Sequence, residues 1–512
     1  MSSGPQHGTP PGCSPAEGNL SRLQRRIRAA LGKEPGDLLL TGGRVVNVFT
    51  QRVELGNVLI VDGWIAGVGP YEWSAKQTIE ISGRTVLPGL IDSHMHLEST
   101  LLTPAELARL IVPHGTTAIL SDSHEIGNVL GIRGIDMLLS ASAGLPLDLF
   151  FMASSCVPAT HWEHAGAMLG PNEVRQLLER PRVLGLAEVM DIPAVLGGAD
   201  DVLHKIEATL ARGLPADGHA PGMVGQGLQA YVATGIRSDH ESATPEEARA
   251  KAALGMLVQV REGSSACNLD ALLPLLAAGE LGDSWCLVTD DIFPDDLRQR
   301  GHLDGLLRRV VAGGVPAAAA VRHASFVPAR HYGLLDRGAV APGYRADLVV
   351  VEDLTNFRPQ RVVKGGRVAA CDADLVELPQ PATLVPENTV HCAPVDASAF
   401  RLQLTGDCCP VIRIIPGQIQ TRQEFHRIPH EDGYWAFNAE RDLALIASME
   451  RHRATGQMGL GLVSGFGLHR PGALGSSVAH DSHNLIVAGT NAEDMLVCVR
   501  ALEQSGGGFV VA

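Results

Sequence analysis

Short apolar runs recur along the middle of the chain, and each run ends in polar or charged residues. Apolar runs of about four to eight residues are typical of buried parallel strands. Stretches with helical periodicity separate the runs, and one of them begins at Thr244 with Pro245 and two glutamates, a typical helix N-terminus. Strands that alternate with helices predict an α/β fold, a (β/α)8 TIM barrel. The eight predicted strands begin at Val86, Thr116, Asp148, Val183, Leu214, Gly235, Leu257 and Trp285.

Apolar and polar residues alternate with a period of two on both sides of this region. Over residues 37–85 this alternation is interrupted by glycines that mark turns, which predicts an antiparallel β-module. The same alternation with glycine turns recurs over 335–372. We expect these two pieces to form one flanking composite β-domain, with the barrel at 86–334 inserted between them. A Pro-rich link near residue 380 leads into an additional C-terminal α/β domain over 380–512. Residues 1–36 are expected to be a disordered tail followed by a short helix.

Composition and charge favour a cytoplasmic enzyme. The 512 residues exceed the length of one barrel, about 250 residues, so further domains are expected. The net charge of −15 argues against a nucleic-acid surface, because phosphate contacts need clustered Lys and Arg. The one basic cluster, Arg22 to Arg28, is interpreted as the polar face of the short helix.

Cysteine spacing and the apolar runs exclude several other classes. The nine cysteines contain no Cys-x-x-Cys spacing, so the sequence predicts neither a disulfide framework nor a zinc ribbon. No run reaches transmembrane length, and residues 1–18 have no apolar core of the kind a signal peptide needs. We therefore expect a protein that does not associate with membranes.

The first predicted strand ends in His94-Met95-His96, with Glu98 two residues further on. Two histidines at i and i+2 of a strand point to the same face and can reach one metal ion. A pair of solvated loop histidines is the alternative. Further His, Asp and Glu residues end later strands in the same manner, at the barrel face that carries chemistry, and they favour a metal site. The candidate metal ligands are His94, His96, Glu188, His219, His240 and Asp290.

Several motifs in addition to His94-x-His96 resemble one family. The first strand resembles that of the amidohydrolase superfamily, and together the motifs resemble bacterial and archaeal adenine deaminases from about residue 37 to the end. Ser123 stands where that family usually has Pro, and Cys267 where it often has Lys. The family usually continues beyond Ala512, so the C-terminal domain is expected to lack its last part. The motifs are SDSHEIGNVLG (121–131), SSCVPAT (154–160), DGHAPG (217–222), TGIRSDHES (234–242), NLDALLPLL (268–276), TDDIFPDDL (289–297) and SSVAHDSHNLIVAGTNAEDM (476–495).

The resemblance implies a barrel of amidohydrolase type and the metal-dependent hydrolysis of adenine to hypoxanthine and ammonia in purine salvage. It implies the free base as the small-molecule substrate, and we expect a homo-oligomer. The family's reaction needs a strong nucleophile at neutral pH and an acid for the departing amine, and divalent metals supply the nucleophile by lowering the pKa of bound water.

Six ligands suit two divalent ions per chain, and this donor set fits Mn, Fe and Zn alike. We assign His94, His96 and Asp290 to one ion. His219 and His240 are assigned to the other ion, with Glu188 as the bridge. Asp290 is expected to take a proton from the attacking water and pass it to the amine. The predicted catalytic residues are Asp290, Glu188 and His240.

Four further residues are predicted to contact the substrate. Asp291 could bind a purine nitrogen or, equally well, cap the helix after strand eight. Asp122, His124 and Glu125 follow strand two, where they could line the substrate pocket, relay protons or hold an extra metal. The alternative for these three residues is an Asx-type turn and helix cap. Their position on the catalytic face favours a functional role.

The C-terminal region carries one polar cluster whose role stays open between a lid loop and a domain interface. It consists of His480, Asp481, His483 and Asn484. Two alternatives to a deaminase remain. A cyclic-amide hydrolase of hydantoinase type typically carries a carbamylated lysine on strand four, where this chain has Glu188. An inactive scaffold relative would have lost metal ligands, whereas this chain retains them.

Overall fold

The computed structural model describes residues 19–378 and 387–512, apart from positions 405, 407, 417 and 419. The predicted tail over 1–18 and most of the Pro-rich link near residue 380 lie outside the described residues. The chain folds as two compact units. The second unit contains His124–Ile135, Cys156–Leu169 and the described residues of the C-terminal part, and the first unit contains the others.

The first unit begins with an amphipathic helix and seven short strands. Arg25 on the helix pairs with Asp37 at 2.7 Å and with Asp62 at 2.5 Å, so the basic cluster forms a polar helix face, as predicted. The elements are α1 (Asn19–Ala30), β1 (Gly36–Thr41), β2 (Arg44–Asn47), β3 (Arg52–Leu55), β4 (Asn57–Val61), β5 (Trp64–Gly69), β6 (Ala75–Glu80) and β7 (Thr85–Pro88).

Eight parallel strands follow, one within each predicted apolar run, which gives a TIM-barrel-like α/β fold. The first five strands form one sheet and the last three another. The backbone N–H of Arg237 donates to Ala216 across one junction, at 3.1 Å, and Met95 pairs in parallel with Asp290 across the other. The strands are β8 (Leu90–Met95), β9 (Thr116–Asp122), β10 (Asp148–Ala153), β11 (Val183–Val189), β12 (Ala216–Gly218), β13 (Ser238–Asp239), β14 (Leu257–Arg261) and β15 (Trp285–Val288).

The first predicted barrel strand is in fact two strands. Residues from Thr85 to Pro88 form β7, which belongs to a flanking sheet, and the barrel strand β8 begins only at Leu90. Gly89 separates the two strands, and a Cβ atom there would lie 2.2 Å from Oγ1 of Thr117, so any larger residue would clash with the side chain of Thr117. The predicted start of the barrel strand at Val86 is therefore wrong.

Helices separate the barrel strands, and none of the described helices is long and apolar enough to cross a membrane. The hydroxyl of Thr244 caps α9 by accepting from the backbone N–H of Glu247 at 3.3 Å, which confirms the predicted helix start. The helices are α2 (Pro104–Ile111), α3 (His124–Leu130), α4 (Ile132–Ala141), α5 (Pro171–Leu177), α6 (Ile192–Gly197), α7 (Asp200–Leu210), α8 (Gly225–Ala233), α9 (Pro245–Ala252), α10 (Leu269–Ala277), α11 (Pro294–Arg300), α12 (Leu303–Ala312), α13 (Ala317–His323) and α14 (Phe326–His331).

Strands from before and after the barrel share one seven-stranded sheet, in which Val86 of β7 lies opposite Val350. A second sheet, of order β5-β4-β1-β6, contains N-terminal strands alone. The pairs β1–β6 and β2–β7 are parallel, so the prediction of a single antiparallel module is wrong for the N-terminal strands. The later strands are β16 (Leu348–Val351), β17 (Pro359–Lys364), β18 (Arg367–Cys371) and β19 (Asp374–Leu375).

The second unit is built on a seven-stranded sheet of order β21-β20-β25-β24-β27-β26-β28. The apolar face of helix α15 packs into its core, where Leu445, Val487 and Cys498 are fully or almost fully buried. Its elements besides α3 are β20 (Cys408–Ile414), β21 (Thr421–Arg427), β22 (His430–Glu431), β23 (Tyr434–Trp435), β24 (Leu443–Met449), β25 (Met458–Ser464), β26 (Ala473–Ser476), β27 (Leu485–Gly489), α15 (Ala492–Ser505) and β28 (Phe509–Val511).

A buried ion pair fixes the end of the short strand β13. Lys251 on α9 and Asp239 on β13 are both fully buried, and their charged atoms lie 2.7 Å apart. Burial opposes ionisation of Asp239, but the ammonium group of Lys251 lowers the pKa of this carboxyl below its usual value. The ammonium group also donates to the carbonyl of Ala220 at 2.7 Å, so one side chain joins two neighbouring strand ends.

Lys251→Met should therefore lower the free energy of unfolding by about 3–5 kcal/mol, because it leaves the Asp239 carboxylate buried without its cation. Arg249→Met on the same helix is the matched control, since it removes an exposed ion pair with Glu280 and should change stability little. Chemical denaturation of both variants measures the difference. Equal losses in the two variants would contradict a stabilising role for the buried pair.

Candidate metal centre

The structure brings the six predicted metal-ligand side chains together at the C-terminal ends of the barrel strands. His94 and His96 flank Met95 at the end of β8, so both imidazoles point to the same side. Five of the six residues are almost fully buried, and the side chain of His219 is 21% exposed. The other members are Glu188 on β11, His240 after β13 and Asp290 after β15.

Asp290 faces the two histidines of β8. Its Oδ1 atom lies 3.4 Å from Nε2 of His94 and 3.0 Å from Nε2 of His96. The Nδ1 atom of His96 lies 3.0 Å from the backbone carbonyl of Asp122. Because a carbonyl only accepts, Nδ1 carries the proton, and Nε2 is left with a lone pair directed at the carboxylates.

Glu188 lies between the two groups of histidines. Its Oε1 atom is 3.5 Å from Nε2 of His96. Its Oε2 atom is 2.6 Å from Nδ1 of His219 and 3.1 Å from Nε2 of His240. The two oxygens of one carboxylate thus face different imidazoles, which is a suitable placement for a ligand shared by two ions.

The donor set fits divalent metal ions. Ligand atoms of His94, His96 and Asp290 all lie within 4.8 Å of one another, as do those of His219, His240 and a further residue, Glu241. The buried Nε2 atom of His94 has no hydrogen-bond partner among the described residues. Imidazole and carboxylate ligands suit Zn, Mn and Fe, so these residues could hold such an ion.

Electrostatics keep the carboxylates of the site ionised, as metal ligands must be. Burial opposes the charge on Asp290, but the neighbouring imidazoles of His94 and His96 and the cation of Arg261 hold its pKa well below the usual range. Burial also opposes the charge on Glu188, whose pKa is likewise held low, by His240 and His219.

The sequence analysis missed two residues of the site, Glu241 and Arg261. Oε1 of Glu241 lies 3.3 Å from Nε2 of His240, and Arg261 donates to Oδ2 of Asp290 at 2.9 Å. Arg261 also donates to Oε2 of Glu241 at 2.9 Å, so one guanidinium joins two carboxylates. Arg261 ends an apolar run, Leu257–Arg261, and Glu241 directly follows the predicted ligand His240, so the sequence carried a signal for both positions.

A layer of buried aspartates lies just before the ligands along the strands. Asp92 accepts from the hydroxyl of Thr289 at 2.6 Å. Asp217 accepts from the hydroxyl of Ser238 at 2.6 Å and from that of Tyr332 at 2.8 Å. Burial raises the pKa of Asp217 to about 6 despite these hydrogen bonds. The layer ties the ends of β8, β12, β13 and β15 to neighbouring elements.

Asp291 lies beside the loop that follows β8. Its Oδ1 atom accepts from the hydroxyl of Ser99 at 2.5 Å. Helix α11 has Phe293 as its N-cap residue and no side-chain cap. Asp291 is thus not the N-cap residue of α11.

The three predicted residues after strand two are divided between the units. Asp122 ends β9 in the first unit, whereas His124 and Glu125 begin α3 in the second. Nε2 of His124 lies 3.3 Å from Oδ1 of Asp481. Nδ1 of His480 lies 3.1 Å from Oε1 of Glu125. Two members of the polar cluster of the C-terminal region thus contact two of the predicted substrate residues.

The other two members of that cluster hold the same segment in place. Nδ1 of His483 accepts from the backbone N–H of Ala479 at 3.2 Å. The side-chain amide of Asn484 donates to the carbonyl of His164 at 2.9 Å. Burial lowers the pKa of His483 to about 4, so this imidazole is neutral at neutral pH.

Two family descriptions match the sequence. The amidohydrolase family matches residues 85–369, and the adenine deaminase C-terminal domain matches residues 418–512.

Curated relatives match nearly the whole chain. An adenine deaminase of Dehalococcoides mccartyi (strain CBDB1) is 44% identical over 498 residues, which are 96% of this chain and 85% of that protein. Adenine deaminase 2 of Carboxydothermus hydrogenoformans is 42% identical over 494 residues, which are 96% of this chain and 85% of that protein. An adenine deaminase of Nitratidesulfovibrio vulgaris (strain Hildenborough) is 44% identical over 490 residues, which are 96% of this chain and 84% of that protein.

Solved structures share the fold at much lower identity. A mutant atrazine chlorohydrolase from Arthrobacter aurescens TC1, complexed with zinc and atraton, is 17% identical with a TM-score of 0.52, covering 66% of this chain and 96% of its own. A β-aspartyl dipeptidase from Fervidobacterium islandicum AW-1 is 16% identical with a TM-score of 0.50. The match covers 67% of this chain and 99% of the dipeptidase. These similarities concern the fold alone.

Proposed function

This chain belongs to the adenine deaminase family of amidohydrolases, and we propose that it hydrolyses adenine to hypoxanthine and ammonia at the metal centre of its barrel. The observation that carries the proposal is the placement of Glu188 between two groups of histidines. That placement occurs in a chain whose adenine deaminase relatives align over 96% of its length.

In this proposal two divalent ions are held by the predicted ligands. His94, His96 and Asp290 hold one, His219 and His240 hold the other, and Glu188 contacts both. Glu241 joins the second set because its carboxylate lies 3.6 Å from His219. Bound divalent ions lower the pKa of water, which provides the nucleophile at neutral pH. Manganese, iron and zinc all suit this donor set.

Asp290 is the proposed proton carrier. Oδ1 faces the two histidines of β8, and Oδ2 is held by Arg261 at 2.9 Å, so the carboxylate has one fixed orientation. It takes a proton from the water that attacks C6 of adenine and delivers it to the amine as the C6–N bond breaks. Glu188 and His240 complete the catalytic group, and the imidazole of His240 stacks on that of His94 with 3.9 Å between ring centres.

Asp291 and Asp122 are the proposed substrate contacts in the first unit. Asp291 directly follows the proton carrier and is held by Ser99, and Asp122 ends a barrel strand on the face where substrates bind. The two alternative functions are not favoured. A hydantoinase-type enzyme would need a lysine on strand β11 to bridge its metals, whereas this strand carries Glu188 and no lysine. The curated relatives are adenine deaminases.

The expectation of a cytoplasmic, homo-oligomeric enzyme belongs to the same proposal. So do the expected domains, 37–85 plus 335–372, 86–334 and 380–512, except that β7 (Thr85–Pro88) lies in the flanking sheet and not in the barrel. The shared sheet of β7 and β16 supports a composite domain built from both flanks of the barrel.

Removing the metal should abolish deamination, and activity should return when about two divalent ions are bound per chain, because six ligands exceed those of one tetrahedral site. Glu188→Gln should lower both metal content and rate, while Glu179→Gln, on an exposed side chain, serves as the control. Elemental analysis and ammonia release measure the two quantities. Full activity with one ion per chain, or normal metal content in Glu188→Gln, would overturn the assignment.

Replacements in the pair that follows β15 should separate chemistry from binding. Asp290→Asn removes the proton carrier, so kcat should fall by about 100-fold or more in folded protein. Asp291→Asn should chiefly raise KM for adenine, and Asp295→Asn, at an exposed position on α11, should leave both constants unchanged. Steady-state kinetics with metal analysis tests this. Similar behaviour of the first two variants would contradict the separate roles.

Adenosine should be a far poorer substrate than adenine, because the relatives are adenine deaminases and no motif in the sequence suggests a ribose site. The ratio of kcat/KM for the two compounds measures this preference. Comparable values would show that the enzyme accepts nucleosides.

A further inference from the structure

A cavity of about 400 Å³ lies among helices α11 and α12, the residues that follow α2 and strand β17 of the first unit. Among the described residues that line it, basic side chains outnumber acidic ones. The local balance is therefore positive, in a chain whose net charge is −15. The arginines of the lining are Arg298, Arg300, Arg308 and Arg358, and its carboxylates belong to Asp304 and Asp372.

Hydrogen bonds hold two of these arginines in place. The guanidinium of Arg308 donates to Oδ2 of Asp304 at 2.8 Å and to the backbone carbonyl of Arg300 at 3.0 Å. Arg300 pairs with Asp296 at 2.7 Å and donates to the carbonyl of Gly263 at 3.4 Å. A guanidinium that is already oriented loses little conformational freedom when it contacts a ligand.

Asp304 fixes basic groups of the cavity through its carboxylate. This residue is almost fully buried, and its Oδ1 atom accepts from the backbone N–H of His302 at 2.9 Å. Its Oδ2 atom accepts from Arg308 and lies 3.2 Å from Nδ1 of His114. Both oxygens of Asp304 are thus occupied by neighbouring groups of the protein.

Two arginines of the cavity, Arg298 and Arg358, form no ion pair with any residue that the structure describes. Both are exposed, so their charges are available to a ligand from solution. Helix α12 adds a partial positive charge, because its N-terminus lies at the cavity and has no side-chain cap. Guanidinium groups next to a helix N-terminus provide the donors and the positive charge that a phosphate group needs.

We propose that this cavity binds a phosphate group, carried by inorganic phosphate or by a small phosphate ester, through the guanidinium groups of Arg298 and Arg358. Arg300 and Arg308 line the same cavity and add positive charge. Guanidinium groups contact phosphate oxygens through two parallel hydrogen bonds, which favours phosphate over a monovalent ion such as chloride. None of these arginines belongs to the metal centre or to the proposed substrate contacts, so the inference does not depend on the proposed function.

Binding of inorganic phosphate to the full-length, metal-loaded protein tests this site. Isothermal titration calorimetry follows the binding at constant ionic strength, set with chloride, so that general screening stays the same. We expect saturable binding of phosphate and of ribose 5-phosphate, with ribose as the uncharged comparison that does not bind. Tighter binding of the ester would identify an ester as the ligand, and equal or weaker binding would identify the free ion. Absence of saturable binding for both phosphate compounds would overturn the proposal.

Variants separate the cavity from the metal ions of the barrel, which also attract phosphate. Arg298→Met and Arg358→Met should each weaken phosphate binding by about tenfold, because each removes a charged hydrogen-bond donor. Arg52→Met is the matched control, since it removes an exposed arginine from β3, at the opposite edge of the seven-stranded sheet from β19. Its affinity for phosphate should be unchanged. Undiminished phosphate binding when Arg298→Met and Arg358→Met are combined would show that phosphate binds elsewhere and would overturn the assignment.

Discussion

The burial of ionised groups at the C-terminal ends of the barrel strands is the constraint on which the rest of the site depends. A carboxylate withdrawn from water without a partner costs several kcal/mol, so each one must face a cation, an imidazole or a hydrogen-bond donor. Arg261 meets this requirement for Asp290 and Glu241 at once, and the histidines meet it for Glu188. The same pairing leaves carboxylates ionised and imidazole nitrogens directed inward, which is the state in which they bind metal.

The layer of buried aspartates joins the strand ends below the site to one another. Asp92 joins the first and last barrel strands through Thr289, Asp217 joins β12 to β13 through Ser238, and Asp239 joins β13 to α9 through Lys251. Side-chain bonds of this kind explain how β12 and β13, of only three and two residues, still position His219 and His240. Where ladder hydrogen bonds are few, buried polar contacts set the register.

The sequence predicted what depends on local pattern, namely the eight strands and the ligands at their ends. It placed the start of the first barrel strand at Val86, because the clash that excludes a larger residue at Gly89 comes from Thr117 on another strand. It grouped His124 and Glu125 with Asp122 because the three residues are adjacent. Their contacts, however, are made with residues 480 and 481, and one sequence gives no signal for pairing across that distance. Arg261 is not a metal-ligand type of residue, so the pattern of ligands at strand ends did not include it.

The two groups of metal-type residues differ less in chemistry than in burial. Both combine imidazoles with carboxylates, so ligand type selects the same metals for each, and affinity is decided by how firmly the ligands are held. In the barrel the ligands stand at the ends of buried strands above a hydrogen-bonded layer. In the second unit His124 and Glu125 stand at a helix start, and His480 and Asp481 stand on an irregular, partly exposed segment. Because the ligands of the barrel are held more firmly, the barrel centre is the better metal site of the two.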